Sequence, residues 1–170
     1  TNMLTQTVYI DGNKVVYAVW GEDANGNGQP DVTESGYSLT YHANGGSGSV
    51  PTDGTKYAAG DRAELQDGSG LTHYAVGHRV IFAGWSLEQY DHIFAAGEGR
   101  QAELVEFVTF SDADVTVYAV WGYDVNNNGT PDMDEAAYRL NYDPNGGESA
   151  PPDGSPYVDG QQVVLDDGSG

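Results

Sequence analysis

Two stretches of this chain space oxygen-bearing side chains as a calcium-binding loop does. A twelve-residue loop of that kind uses side-chain oxygens at positions 1, 3, 5 and 9, a backbone carbonyl at 7, glycine at 6 and a bidentate carboxylate at 12. Counted from Asp23, the ligand positions hold Asp23, Asn25, Asn27, Gln29, Asp31 and Glu34, and Gly28 takes the turn. Asp124, Asn126, Asn128, Thr130, Asp132 and Glu135 repeat the set, with Gly129 at the turn. Calcium is a hard cation that gathers about six to eight oxygens, and short side chains at alternate positions of a tight loop converge on it. The loops offer no nitrogen or sulfur ligand, which argues against zinc or copper. A solvated linker also favours Asp, Asn, Gly and Pro, but it has no reason to keep glutamate at the twelfth position twice.

Three carboxylates and two neutral amides per loop imply weak binding, with a dissociation constant of about 10⁻⁴ to 10⁻³ M, as in extracellular modules. Such a site is nearly empty in a cytosol and substantially filled outside a cell. At ten times its dissociation constant one ion stabilises the ordered loop by about 1.4 kcal/mol. That stiffens a joint but does not fold a domain.

The elements that must position these loops are themselves repeated. Val16 to Gly46 and Val117 to Gly147 share VYAVWG, the loop and a closing NGG, at an offset of 117 − 16 = 101 residues. The correspondence reaches back to Tyr9 and Phe110; after a one-residue deletion it continues at an offset of 100, from Asp53 to Gly70 and from Asp153 to Gly170. Repetition at a fixed long period marks strung or stacked units that extend and present surface. The expected organisation is 1–21 as the closing part of a preceding unit, 22–36 as a calcium-loop linker, 37–122 as a complete unit, 123–137 as a second linker and 138–170 as the opening part of a following unit.

Strand patterns dominate. VVYAVW and TVYAVW are β-branched and aromatic runs, YSLTY and YRLNY alternate at period two, and HRVIFAGW (78–85) reads as a strand with a bulge or close packing at Gly84. Asn44-Gly45-Gly46 and Asn145-Gly146-Gly147 supply turns that need positive φ. Leu87 to Ala96 is the best place for a short helix. Trp20, Trp85 and Trp121 are expected as core anchors. The fold class is therefore mainly β, with α+β as the alternative.

Composition narrows the partners. Twenty-six acidic residues against six Lys and Arg give a formal net charge of −20, which repels nucleic acid and anionic membranes and makes bound cations a simple remedy for self-repulsion. Cysteine is absent, so disulfides, thiol nucleophiles and cysteine-based metal sites are excluded. No apolar run reaches the roughly 20 residues of a membrane span, and no signal peptide is evident. The chain starts in mid-pattern, so it reads as a piece of something longer whose anchor and export signal lie outside it.

The loops are similar to the D-x-N-x-N-G-x-P-D loops of bacterial surface proteins and of thrombospondin type 3 repeats: strands flank them, and Pro30 or Pro131 stands at position 8. The complete unit resembles the Listeria–Bacteroides repeat, the B-repeat of internalin-type surface proteins. YSLTYHANGG (37–46), Gly60 before AELQDG, VIFAGWS (80–86) and DVTVYAVWG (114–122) carry that resemblance. It implies tandem small β-grasp-like modules of a bacterial surface protein without enzymatic activity. The stretch between Trp85 and Asp114 is long for that pattern.

The function this suggests is a calcium-stiffened spacer or adhesion module at the cell surface, meeting a host or cell-surface protein or a glycan. The alternative is a carbohydrate-binding or accessory module of a secreted enzyme. His42, His73, His78 and His92 show no spacing that favours a catalytic site, and the acids of a glycosidase reading concentrate in the loops. A dockerin would keep its two loops close with helices after each, whereas a whole unit intervenes here. An isopeptide crosslink would need a buried lysine; of Lys14 and Lys56, Lys14 has Val115 as its repeat partner. The partial units leave strand edges open, which predicts self-association.

Overall fold

The structure is a computed structural model that describes residues 7, 9–23, 26, 28–33, 36–98, 102–152, 154 and 156–166. It is mainly β, as the patterns require. The strands are β1 (Leu39–His42), β2 (Arg62–Glu64), β3 (Val80–Ser86), β4 (Phe107–Thr109) and β5 (Val115–Tyr123), all within the complete unit. Among the described residues the only helical elements are two 3-10 turns, Asp31–Thr33 and Asp132–Asp134, one in each linker.

β5 is the axis of the unit. Its long β-branched and aromatic run pairs on one side with β1, in parallel, and on the other with β3, antiparallel. The first and last strands of the unit therefore lie side by side, with Tyr41 opposite Val117. The register of β3 slips between Phe82 and Gly84. Gly84 sits at φ +151, where a side chain is strained, so the bulge expected there is real. β2 and β4 form a separate antiparallel pair.

The core lies against this sheet. Val117, Ala119 and Trp121 of β5 are buried with Leu39 and Tyr41 of β1, Ala63, Leu71, Trp85, Val108 and Phe110. The two indoles are polar-satisfied as well as buried: Trp85 Nε1 donates to Gln66 O at 2.8 Å, and Trp121 Nε1 donates to Ala43 O at 3.1 Å and Asn44 O at 3.0 Å. Asn44 answers by donating from Nδ2 to Ala119 O at 2.9 Å and Tyr90 O at 2.7 Å. The turn at Asn44 and Gly45, with φ of 49 and 85, thereby becomes part of the core wall. A second, smaller cluster holds Phe94, Ala102, Val120 and Met133.

Three expectations are corrected. Leu87 to Ala96 is not a helix: Phe94 N donates to Trp121 O and Tyr123 N donates to Phe94 O, both at 2.9 Å, so the segment hangs on the end of β5 as extended backbone. Tertiary bonding of that kind overrides the weak local preference. Trp20 is not a core anchor; it is 83% exposed, against 2% for its counterpart Trp121. VVYAVW (15–20) and YRLNY (138–142) form no strand ladder, because neither has across from it the strand that its counterpart in the complete unit pairs with.

The repeat is nevertheless structural. Tyr37 and Tyr57 exchange backbone bonds of 2.8 and 2.9 Å, and Tyr138 and Tyr157 exchange bonds of 2.7 and 2.9 Å. Gln66 N donates to Tyr41 OH at 2.9 Å, and Asp166 N to Tyr142 OH at 3.1 Å. The segment 138–166 is thus already shaped like the opening of the complete unit.

Candidate metal centre

The second loop begins where β5 ends. The β3–β5 register sets Val80 opposite Tyr123, which brings Arg79 beside Asp124. Asp124 N donates to Arg79 O at 3.0 Å, and the Arg79 guanidinium meets Asp124 Oδ2 at 2.7 Å. Asp124 is fully buried, whereas the Arg79 side chain is about half exposed. The Asp124 carboxylate also accepts from Asn128 N at 3.0 Å and Gly129 N at 3.1 Å, which ties loop position 1 to positions 5 and 6. Gly129 stands at φ +89, the backbone that the sharp turn of a calcium loop demands of glycine.

The other positions fold around this start. Asn128 Oδ1 accepts from Thr130 N at 2.7 Å, and Asn126 Oδ1 accepts from Asn128 N at 3.1 Å. Asp132, 1% exposed, accepts from Val125 N with both oxygens, at 3.2 and 3.3 Å. Glu135 accepts from Asn126 Nδ2 at 3.0 Å and from Asn128 Nδ2 at 2.6 Å. Burial pushes the Asp132 carboxyl above its ordinary value; the Val125 N–H pulls it back, Glu135 and Asp124 push it further up, and His78 opposes them.

Asp124, Asn126, Asn128, Asp132 and Glu135 therefore share one small fold of chain, and the spacing read from the sequence does bring them together. Thr130 belongs to the same turn, where only its backbone N–H has a described partner in the loop. Among the described residues, no group of three or more His, Asp or Glu side chains is arranged to hold a metal ion. The reason lies in the bonds just given: Arg79 engages Asp124, a backbone N–H engages Asp132, and the two amides engage Glu135 through nitrogen. The donor set still fits calcium, because rotating each amide by a half-turn exchanges nitrogen for oxygen at Glu135. Asp124, Asn126, Asn128, Asp132 and Glu135 would then hold the ion, which would supply the positive charge that the amide nitrogens and Arg79 now provide.

In the first loop, Asn25, Asn27 and Glu34 lie outside the described residues. What is described matches the second loop. Gly28 N donates to Asp23 Oδ2 at 2.9 Å with Gly28 at φ +86, and Thr33 N donates to Pro30 O at 2.8 Å as Asp134 N does to Pro131 O. Gln29 and Asp31 fall within the same turn, and Asp31 N donates to Glu22 O at 2.8 Å. The loops differ in how they seat. Met133, 4% exposed, packs into the cluster of Phe94, Ala102 and Val120, while Val32 at the same position of the first loop is 82% exposed.

The second loop also reaches forward. Asn126 Nδ2 donates to Asp159 O at 2.8 Å, so one side chain joins the Glu135 end of the loop to the segment after it. Arg79 is the residue that spacing alone misses; the only signal for it is its place just before VIFAGW, as one of six cations in an acidic chain. The four histidines do not converge: His42 packs on Tyr118, His73 on Trp121, His78 on Tyr123 and His92 on Phe94. Among the described residues no helix is long and apolar enough to cross a membrane. No protein-family model, curated protein or solved structure matches the chain, so the resemblance to the Listeria–Bacteroides repeat rests on its own motifs.

Proposed function

We propose that this chain is a non-enzymatic repeat segment of a bacterial cell-surface protein, working outside the cell as a spacer whose joints calcium stiffens. The observation that carries the reading is the seating of the second loop: its first residue is held by Arg79 of the complete unit, its Met133 enters that unit's core, and its Asn126 bonds the segment that follows. An ion among Asp124, Asp132 and Glu135 would draw those attachments together and remove freedom at the joint. The weak affinity expected of such a loop suits extracellular calcium concentrations, and the formal charge of −20 makes each bound cation favourable.

A surface role in adhesion draws support from one further observation. Tyr74 and Val76 stand exposed at the tip of a tight turn closed by the Ala75–His78 bridge, where an aromatic and a β-branched side chain are open to a protein or glycan partner. The test of the spacer reading is calcium titration by calorimetry, paired with small-angle scattering of the calcium-free and calcium-loaded chain. Two sites near millimolar and a longer, stiffer particle are expected. No heat and an unchanged scattering profile would reduce both loops to linkers.

A further inference from the structure

The exposed strand pattern at 15–20 and the open segment 138–166 are complementary halves of the repeat. In the complete unit, β5 closes the core by laying Val117, Ala119 and Trp121 against β1 and the Asn44 turn. Shifted by 101 residues, those side chains are Val16, Ala18 and Trp20, and all three are exposed. The surface they would need is already formed elsewhere in the chain. Asn145 and Gly146 stand at φ of 45 and 89, against 49 and 85 for Asn44 and Gly45. Gly147 N donates to Pro144 O at 2.8 Å, as Gly46 N does to Ala43 O at 3.0 Å.

The glycine that ends each turn shows what is missing. A Cβ placed on Gly46 would overlap the Trp121 indole, whereas a Cβ on Gly147 would meet only Pro144, at 3.1 Å from its carbonyl oxygen and 3.9 Å from its Cβ. The slot that takes an indole in the complete unit is open in the following segment. Leu165 likewise stays exposed, while Leu65 packs on the complete core.

From this we infer that copies of this chain join head to tail, with residues 14–20 of one copy entering the segment 138–166 of the next as a parallel strand. The register transposes from the β1–β5 pairing, in which Thr40 faces Thr116 and Tyr41 faces Val117. Asn141 of one copy faces Val15 of the other, and Tyr142 faces Val16. The Trp20 indole donates to the carbonyls of Pro144 and Asn145, and the Asn145 amide donates to Ala18 O. Such a contact is heterologous, so it propagates into chains of copies rather than closing as a symmetric dimer.

The test uses two variants that block opposite ends. Trp20→Ala removes the side chain that enters; Gly147→Ala fills the slot while touching little else within its own copy. Sedimentation velocity of the unaltered chain should show mass growing with concentration, and each variant alone should sediment as a monomer. An equimolar mixture should give a dimer and nothing larger, because one donor end and one acceptor end remain. In a mixture of Val15→Cys and Asn141→Cys chains, oxidation should link the two kinds to each other far more than either to itself, at least tenfold. Several results would overturn the inference. These are a monomeric unaltered chain, a Gly147→Ala chain that assembles normally, a mixture that stays monomeric, and Val15→Cys chains that mainly link to themselves through symmetric pairing. A Val15→Cys/Asn141→Cys double variant that links only within one molecule would mean that the chain closes on itself, which also refutes it.

Discussion

Arg79→Met separates a structural ion pair from a metal site. The guanidinium holds a fully buried Asp124 at 2.7 Å, so removing it leaves a buried carboxylate with only its two loop N–H donors. Breaking a fully buried pair costs about 3–5 kcal/mol. The Arg79 side chain is half exposed, so water replaces part of what is lost and about 1–2 kcal/mol is expected. For a chain of this size that lowers Tm by about 2–8 °C without calcium. With calcium the sign of the effect on binding reverses. Taking away one positive charge roughly 6 Å from a divalent ion favours the ion by about 1.4 kcal/mol in a water-like dielectric, a tenfold gain in affinity. At ten times the unaltered chain's dissociation constant, the variant then gains about 2.7 kcal/mol from calcium against about 1.4 kcal/mol for the parent. The Tm deficit should therefore shrink to near zero in calcium. Differential scanning calorimetry of both chains, in chelator and in 10 mM calcium, reads this directly. An equal deficit under both conditions would show that Arg79 and an ion do not compete for Asp124; no rise in either chain would sink the calcium reading itself.

Glu135→Gln and Asp132→Asn should each abolish calcium binding at the second loop in calorimetry while leaving the first loop's heat in place. Without calcium, Asp132→Asn should also flatten a pH dependence. The Asp132 carboxyl is raised above 3.8 by burial, so its contribution to stability is full below 3.8 and is lost as pH rises through the raised value. Asp53 behaves oppositely: the Tyr57 hydroxyl and the Thr55 N–H hold it below 3.8, so its contribution is present above 3.8 and is lost as pH falls through the lowered value. Asp53→Asn should remove that acid-side loss in chemical denaturation followed across pH 2–5. Gly46→Ala should cost about 1–3 kcal/mol through collision with the Trp121 ring, measured as a shift of the urea midpoint. Trp121→Ala should cost about 3–5 kcal/mol and leave Asn44 without the indole that donates to its carbonyl.

The legibility of the fold followed the length and partnership of its elements. β5 and β3 were plain because β-branched and aromatic residues run there for seven residues or more, and the Gly84 bulge announced itself before Trp85. β2 and β4 are three residues each, too short for periodicity to speak. The Trp20 pattern was read for burial that only a strand partner can supply, and a sequence does not state whether that partner is present. In the loops, spacing was enough to foresee the Gly129 turn and the capping of Asp124 by backbone N–H groups. It could not foresee Arg79, which reaches Asp124 across 45 positions only because β3 and β5 pair in that register. Nor could it foresee that Met133 would be the residue that seats the linker, since Val32 in the same pattern is exposed.

The parallel pairing of β1 with β5 sets how the unit answers tension. The chain enters at Tyr37, before β1, and leaves at Tyr123, at the far end of β5. Because the two strands run the same way side by side, pulling on the flanking linkers drags β1 and β5 past each other lengthwise. The hydrogen bonds of that ladder then carry load together instead of opening one at a time, as the ends of an antiparallel hairpin do. A row of such units strung through their first and last strands is a tether whose links resist stretching in their strongest direction.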